Sequence, residues 1–121
     1  MAKILIIDDD HEICNLMVQR LKANNFHVVT ASTILESFQQ LSREVPDVII
    51  LDFMLPGILG TTFSENLKKD AQYQEIPIIF VSGQSEEEIK KMDAHVRFDA
   101  YIRKPFEAQD LIQTIHKVLS N

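Results

Sequence analysis

Short apolar runs alternating with longer stretches of helical spacing constrain this chain more than any other feature. ILII (residues 4–7), VIIL (48–51) and IIFV (78–81) are continuous and rich in branched side chains, while FHVVTA (26–31) and AYI (100–102) are weaker. Continuous runs suit parallel strands covered on both faces, and the weaker pair suit positions near a sheet edge. Between the runs, Ile13, Met17 and Leu21 share one helical face, and Ile34, Phe38 and Leu41 share another. Ile89, Met92 and Val96 form a third face; Leu111, Ile115 and Val118, widened by Ile112 and Leu119, form a fourth. The segment from Thr62 to Lys69 has only Phe63 and Leu67 as anchors. Ser/Thr-x-x-Glu pairs at Thr33 and Glu36, Thr62 and Glu65, and Ser85 and Glu88 predict three helix starts, and Asp10 suits the cap of the first helix.

Alternation of strand and helix makes every helix a crossover that returns the chain to the same end of the sheet. Parallel strands and right-handed connections follow, and with them a three-layer α/β sandwich. A chain of 121 residues with 45% apolar content supports one core of ordinary size. Twelve basic against eighteen acidic side chains, net −6, argue against nucleic acid or anionic membrane as the main partner. The lone Cys14 cannot form an internal disulfide and reads as a small core residue. MAKILII turns acidic too soon for a signal peptide, and no run approaches spanning length, so a cytoplasmic protein is expected.

In such sheets, sites form at the carboxyl ends of the strands. Asp8, Asp9 and Asp10 follow the first run, Asp52 ends the third, Ser82 follows the fourth and Arg103-Lys104-Pro105 follows the fifth. Neighbouring carboxylates repel one another, so their concentration beside a lysine points to a hard divalent cation and an anionic group. Mg2+ typically takes one or two carboxylates together with phosphate oxygens. Aspartate can itself attack phosphorus to form an aspartyl phosphate, and Asp52 on a central strand is the candidate.

IIDDD (6–10), LDFMLPGILG (51–60), FVSG (80–83) and YIRKPF (101–106) stand in the order and spacing of the receiver domain of two-component response regulators, which this chain closely resembles. The resemblance implies a flavodoxin-like, five-stranded parallel sheet in the order 2-1-3-4-5 with five helices, like the chemotaxis regulators. It further implies that residues 1–121 are a single receiver domain without an output domain. Asp52 would be the phosphoacceptor. Asp9 would bind Mg2+ directly, Asp8 through water, and Met54 by its main-chain carbonyl, with Mn2+ as a substitute ion. Lys104 would contact the phosphoryl oxygens, aimed by a cis bond to Pro105, and Ser82 would close on them while Tyr101 changes rotamer. Gly83 matches a small residue that leaves the phosphoryl group accessible. The side chains of Met54 and Gln84 would flank the path of the hydrolytic water. The partner donating phosphate would be a sensor histidine kinase or histidine phosphotransfer protein. Output would pass through the face of the fourth helix, fifth strand and fifth helix to a downstream protein, an output domain or a second copy of the chain in a phosphorylation-dependent homodimer. Such a domain is a phosphoacceptor rather than an enzyme, catalysing only its own phosphorylation and dephosphorylation.

Two loops depart from the family pattern. Leu59 stands where an aspartate is common, and Arg97-Phe98-Asp99 replaces a Gly-Ala-Asp lead, with Phe98 as a candidate exposed contact. A haloacid-dehalogenase-type phosphatase shares the chemistry but needs Thr or Val where Glu12 stands, a second late acidic pair and a cap insertion. A pseudo-receiver would lack the reactive groups present here, and a flavodoxin-like flavin binder would need a Ser/Thr-rich loop after the first strand. His11, His27, His95 and His116 lack ligand spacing and read as surface or edge residues. Glu86, Glu87 and Glu88 read as the acidic first turn of a helix.

Overall fold

The computed structural model describes residues 1–55, 58–92, 94 and 98–120. Strands β1 (Lys3–Ile7), β2 (His27–Ala31) and β3 (Val48–Asp52) alternate with helices α1 (His11–Ala23) and α2 (Ile34–Arg43). A short hairpin, β4 (Met54–Leu55) with β5 (Ile58–Leu59), leads into α3 (Gly60–Lys69). Strand β6 (Ile78–Ser82), helix α4 (Glu86–Met92), strand β7 (Ala100–Arg103) and helix α5 (Ala108–Leu119) complete the chain. The main sheet is parallel in the order β2-β1-β3-β6-β7, the expected 2-1-3-4-5 once the hairpin strands are set aside.

Every residue of β1, β3 and β6 is buried, whereas β2 and β7 keep exposed positions, as edge strands do. Alternation along the central strands divides the core in two. Ile4, Ile6, Ile50 and Val81 meet Met17, Leu21, Leu111 and Ile115 of α1 and α5. Leu5, Ile7, Leu51 and Phe80 meet Leu41, Phe63 and Leu67 of α2 and α3. Helices thus cover both faces of the sheet. No helix among the described residues is long and apolar enough to cross a membrane.

Local chemistry sets the boundaries. Asp10 caps α1, its Oδ1 accepting from the N–H groups of Glu12 and Ile13 at 3.1 Å each. The same helix stops at Asn25, whose φ of 68° suits an asparagine. There the N–H of Phe26 reaches Leu21 O at 3.1 Å and that of Asn25 reaches Lys22 O at 3.1 Å. Phe26 therefore belongs to this stop, and β2 begins one residue later than expected. Ser85 and Glu88 form a reciprocal capping box at 3.0 and 3.1 Å, and Glu86–Glu88 fill the first turn of α4. At Thr33 only the forward arm forms, because the Glu36 carboxylate accepts instead from Ser32.

Several expected positions differ. Thr62 lies inside α3 rather than at its cap, since the hairpin feeds the chain into a helix already under way at Gly60. Phe38 is 43% exposed: α2 turns Ser37 and Leu41 inward, leaving Phe38 edge-on to Phe63 at 5.4 Å. In α1, Cys14 is buried beside Met17 and Leu21, and Ile13 is only half-buried. Met92 is half exposed because α4 ends there with Ile89 as its buried anchor, and Leu119 lies exposed at the end of α5. Val96, Arg97 and His95 lie outside the described residues. His11, His27 and His116 are exposed, with His116 against Phe26 at 5.5 Å.

Candidate functional site

Strand register brings the reactive residues together. Ile7 of β1 pairs with Leu51 of β3, so one step further Asp8 comes level with Asp52. Asp52 pairs with Val81 of β6, and Ser82 pairs with Arg103 of β7, which sets Lys104 just beyond. Residues 8, 52, 82 and 104, remote in sequence, therefore meet at the carboxyl edge.

One carboxylate oxygen from each of Asp8, Asp9 and Asp52 lies within 4.8 Å of the others, with Asp8 and Asp52 buried and Asp9 exposed. The two buried acids are held alike. Asp8 Oδ1 accepts from the Asp10 N–H at 2.9 Å, and Asp52 Oδ1 accepts from the Met54 N–H at 3.1 Å. Their second oxygens face one cation: Lys104 Nζ stands 3.2 Å from Asp8 Oδ2 and 3.8 Å from Asp52 Oδ2. Burial raises the Asp52 pKa from 3.8 to about 6, and the Asp8 charge adds to the rise, against the lowering effects of the Met54 N–H and the Lys104 ammonium. The donor set is all oxygen and strongly anionic, and it fits a hard divalent cation. Burial, followed by the charges of Asp8 and Asp10, pushes the Cys14 thiol up to about 11, far from a reactive thiolate.

The opposite wall is the loop after β6. Ser82 is buried, and its hydroxyl donates to Gln84 Oε1 while accepting from the Gln84 N–H at 3.2 Å. The Ser82 carbonyl accepts from the Lys104 N–H at 2.7 Å and from the Tyr101 hydroxyl at 3.4 Å. Arg103 Nε donates to Gly83 O at 3.2 Å, and a Cβ at Gly83 would meet nothing within 4 Å, so this rim is open. The Lys104–Pro105 bond is cis, as the motif implied. Met54 reaches the site through its N–H, and its side chain is 46% exposed at the rim.

Phe98 is not the exposed contact expected of it. It is half-buried, 5.6 Å from the ring of Phe80 and 6.3 Å from that of Tyr101, because the departure from Gly-Ala-Asp puts an aromatic into the space beside β7. Asp99 accepts from the Ile78 N–H at 2.7 Å and ties that loop to the sheet. Sequence reasoning gave Gln84 no contact with Ser82, though Ser followed two residues later by a polar side chain permits the turn that joins them. A groove of about 590 Å³ opens beside Lys104, lined by Ile13, Leu16 and Met17 of α1 and by Phe106 and Leu111.

The family model of the response regulator receiver domain matches residues 4–116. The chain is similar to the phosphate regulon transcriptional regulatory protein PhoB of Escherichia coli strain K12, at 32% identity over 97% of this chain and 51% of that protein. It is also similar to the regulatory protein VanR of Enterococcus faecium, at 36% identity over 93% of this chain and 48% of that protein. The chain thus spans about half the length of the curated relatives it matches. Among solved structures, the chemotaxis response regulator CheY4 of Vibrio cholerae superposes with a TM-score of 0.88 at 28% identity, covering 98% of each chain.

Proposed function

The chain belongs to the response regulator receiver domain family of two-component systems, and from that membership we propose that it is a phosphorylation-controlled switch whose acceptor is Asp52. The observation that carries this reading is the meeting of Asp8, Asp9 and Asp52 within 4.8 Å, with the Lys104 ammonium 3.2 and 3.8 Å from the two buried carboxylates. The family is a signalling one rather than a class of enzymes.

In the proposed reaction Asp52 Oδ2, the oxygen that faces Lys104, attacks phosphorus. An O–P bond forms as the N–P bond to the donor's histidine breaks, and the imidazole leaves with the electron pair. Asp8, Asp9, Asp52 and the main-chain carbonyl of Met54 would hold Mg2+, or Mn2+ in its place. The ion would supply charge neutralisation for the phosphoryl oxygens. Lys104, released from Asp8, would pair with a phosphoryl oxygen, and its main-chain N–H on Ser82 O keeps it beside the Ser82 loop. With its pKa at about 6, Asp52 is mostly ionised at neutral pH and so competent as a nucleophile. Catalysis is then positioning and electrostatics. Hydrolysis would return the switch to rest, along a path flanked by Met54 and Gln84.

The donor is proposed to be a histidine kinase or histidine phosphotransfer protein in the cytoplasm, and the apolar groove beside Lys104 offers a surface for such a partner. Output is proposed to pass through α4, β7 and α5, where Tyr101 is tied by its hydroxyl to the Ser82 carbonyl. An inward Ser82 would release space that Tyr101 can fill, shifting the population of two states. We read residues 1–121 as one such receiver domain. Incubation with acetyl phosphate and Mg2+ followed by intact-mass measurement tests the reading. A single phosphoryl adduct is expected, absent without metal and absent in Asp52→Ala; an adduct that persists in Asp52→Ala overturns the acceptor.

A further inference from the structure

The hydroxyl of Ser82 has one proton to donate, and in this structure the proton is committed to Gln84. Ser82 is 1% exposed, so water is not a ready alternative partner for that hydroxyl. The surrounding main chain is held from β7: the Lys104 N–H and Tyr101 hydroxyl bond Ser82 O, and Arg103 Nε bonds Gly83 O. With the backbone held in this way, the direction of the hydroxyl is decided by side-chain rotation, and Gln84 clasps it twice, through Oε1 and through its own N–H. From this we infer that Gln84 is a latch: a competing acceptor that holds the Ser82 hydroxyl away from the phosphoryl site and so biases the switch toward its resting state.

The inference rests on the proposed closure of Ser82 on a phosphoryl group at Asp52. To donate to that group the hydroxyl must give up Gln84 Oε1, so the active state forms at the expense of one buried hydrogen bond. Removing the acceptor should favour the active state by about fivefold, the usual worth of one such bond. Gln84 is half-buried at the rim and outside the core clusters, so its replacement leaves the hydrophobic packing intact. In the latch Gln84 is a positioning residue that acts through Ser82, a role separate from its place beside the hydrolytic path and from simple obstruction of the site.

The test is titration of the full chain with beryllofluoride in the presence of Mg2+, followed by NMR. Wild type, Gln84→Ala and Gln84→Met are compared, each with Ser82 and with Ser82→Ala. Met keeps the bulk of Gln without the acceptor. Both substitutions are expected to tighten beryllofluoride binding about fivefold with Ser82 present and to have no effect with Ser82→Ala. In the ligand-free protein they should also move the Ser82 Cβ resonance. Unchanged affinity with Ser82 present overturns the latch and leaves the acceptor assignment standing. Equal tightening in both backgrounds also overturns it, because Gln84 would then only obstruct entry. Failure of every protein, wild type included, to bind beryllofluoride overturns the Asp52 reading and the latch together.

Discussion

Replacing Asp52 by Asn exchanges one carboxylate oxygen for an amide at almost constant volume and removes a charge from a site that is 8% exposed. The folded protein holds this carboxyl's pKa at about 6 against an ordinary 3.8, chiefly through burial and then the neighbouring Asp8 charge. Holding this carboxyl at about 6 rather than 3.8 corresponds to ~3 kcal/mol, and the sign follows from linkage. The folded state binds this proton more tightly than the unfolded chain, so wild-type stability falls as pH rises through the window from about 4 to 6, then stays level. Asparagine keeps an oxygen for the Met54 N–H and offers an N–H toward Asp8, but it gives up the 3.8 Å contact with Lys104. The net gain expected for Asp52→Asn is about 2 kcal/mol at neutral pH, shrinking toward zero near pH 4. Urea unfolding followed by circular dichroism across this range, with chelator present, measures it, and the slope with urea should be the same for both proteins. Mg2+ should narrow the gap at neutral pH by stabilising wild type more than the variant. A gain of equal size at every pH, or a loss at neutral pH, would refute the proposition that a buried, repelled charge sits at residue 52.

Asp9→Ala should weaken Mg2+ binding by about tenfold, since it deletes one of three converging carboxylates, whereas Lys104→Ala should strengthen it because the ammonium now pairs with the other two. Calorimetric titration of both variants checks the opposite signs, and equal affinity in Asp9→Ala and wild type would remove Asp9 from the ion. Met54 has a half-exposed thioether at the rim that cannot orient water as a carboxamide can. Phosphate release should therefore be faster in Met54→Asn than in wild type, and a slower or unchanged rate would count against that role.

The alternation of apolar runs settled the architecture because parallel strands buried on both faces leave little room for polar residues within them: every position of β1, β3 and β6 is buried, and their polar residues, Lys3, Asp52 and Ser82, stand only at strand ends. Asp8, Asp52, Ser82 and Lys104 were legible for a related reason: each ends a hydrophobic run or follows it within two residues, and a parallel sheet gathers all such ends at one edge. Helical faces were less legible. Spacing placed Phe38 and Met92 inward, but how far a helix rolls over the sheet depends on its neighbours, and α2 turned Ser37 inward instead. Phe98 looked like a surface contact, yet its exposure depends on Phe80 and Tyr101, residues no local pattern assigns to it. Two properties belong to tertiary structure alone, the raised pKa of Asp52 and the sharing of Lys104 between two acids, while the capture of the Ser82 hydroxyl by Gln84 is a local turn whose hydroxyl direction only the folded loop decides. Periodicity reports which residues leave water; desolvation, charge coupling and hydroxyl direction depend on distances of a few ångströms between side chains, which exist only once the strands are in register.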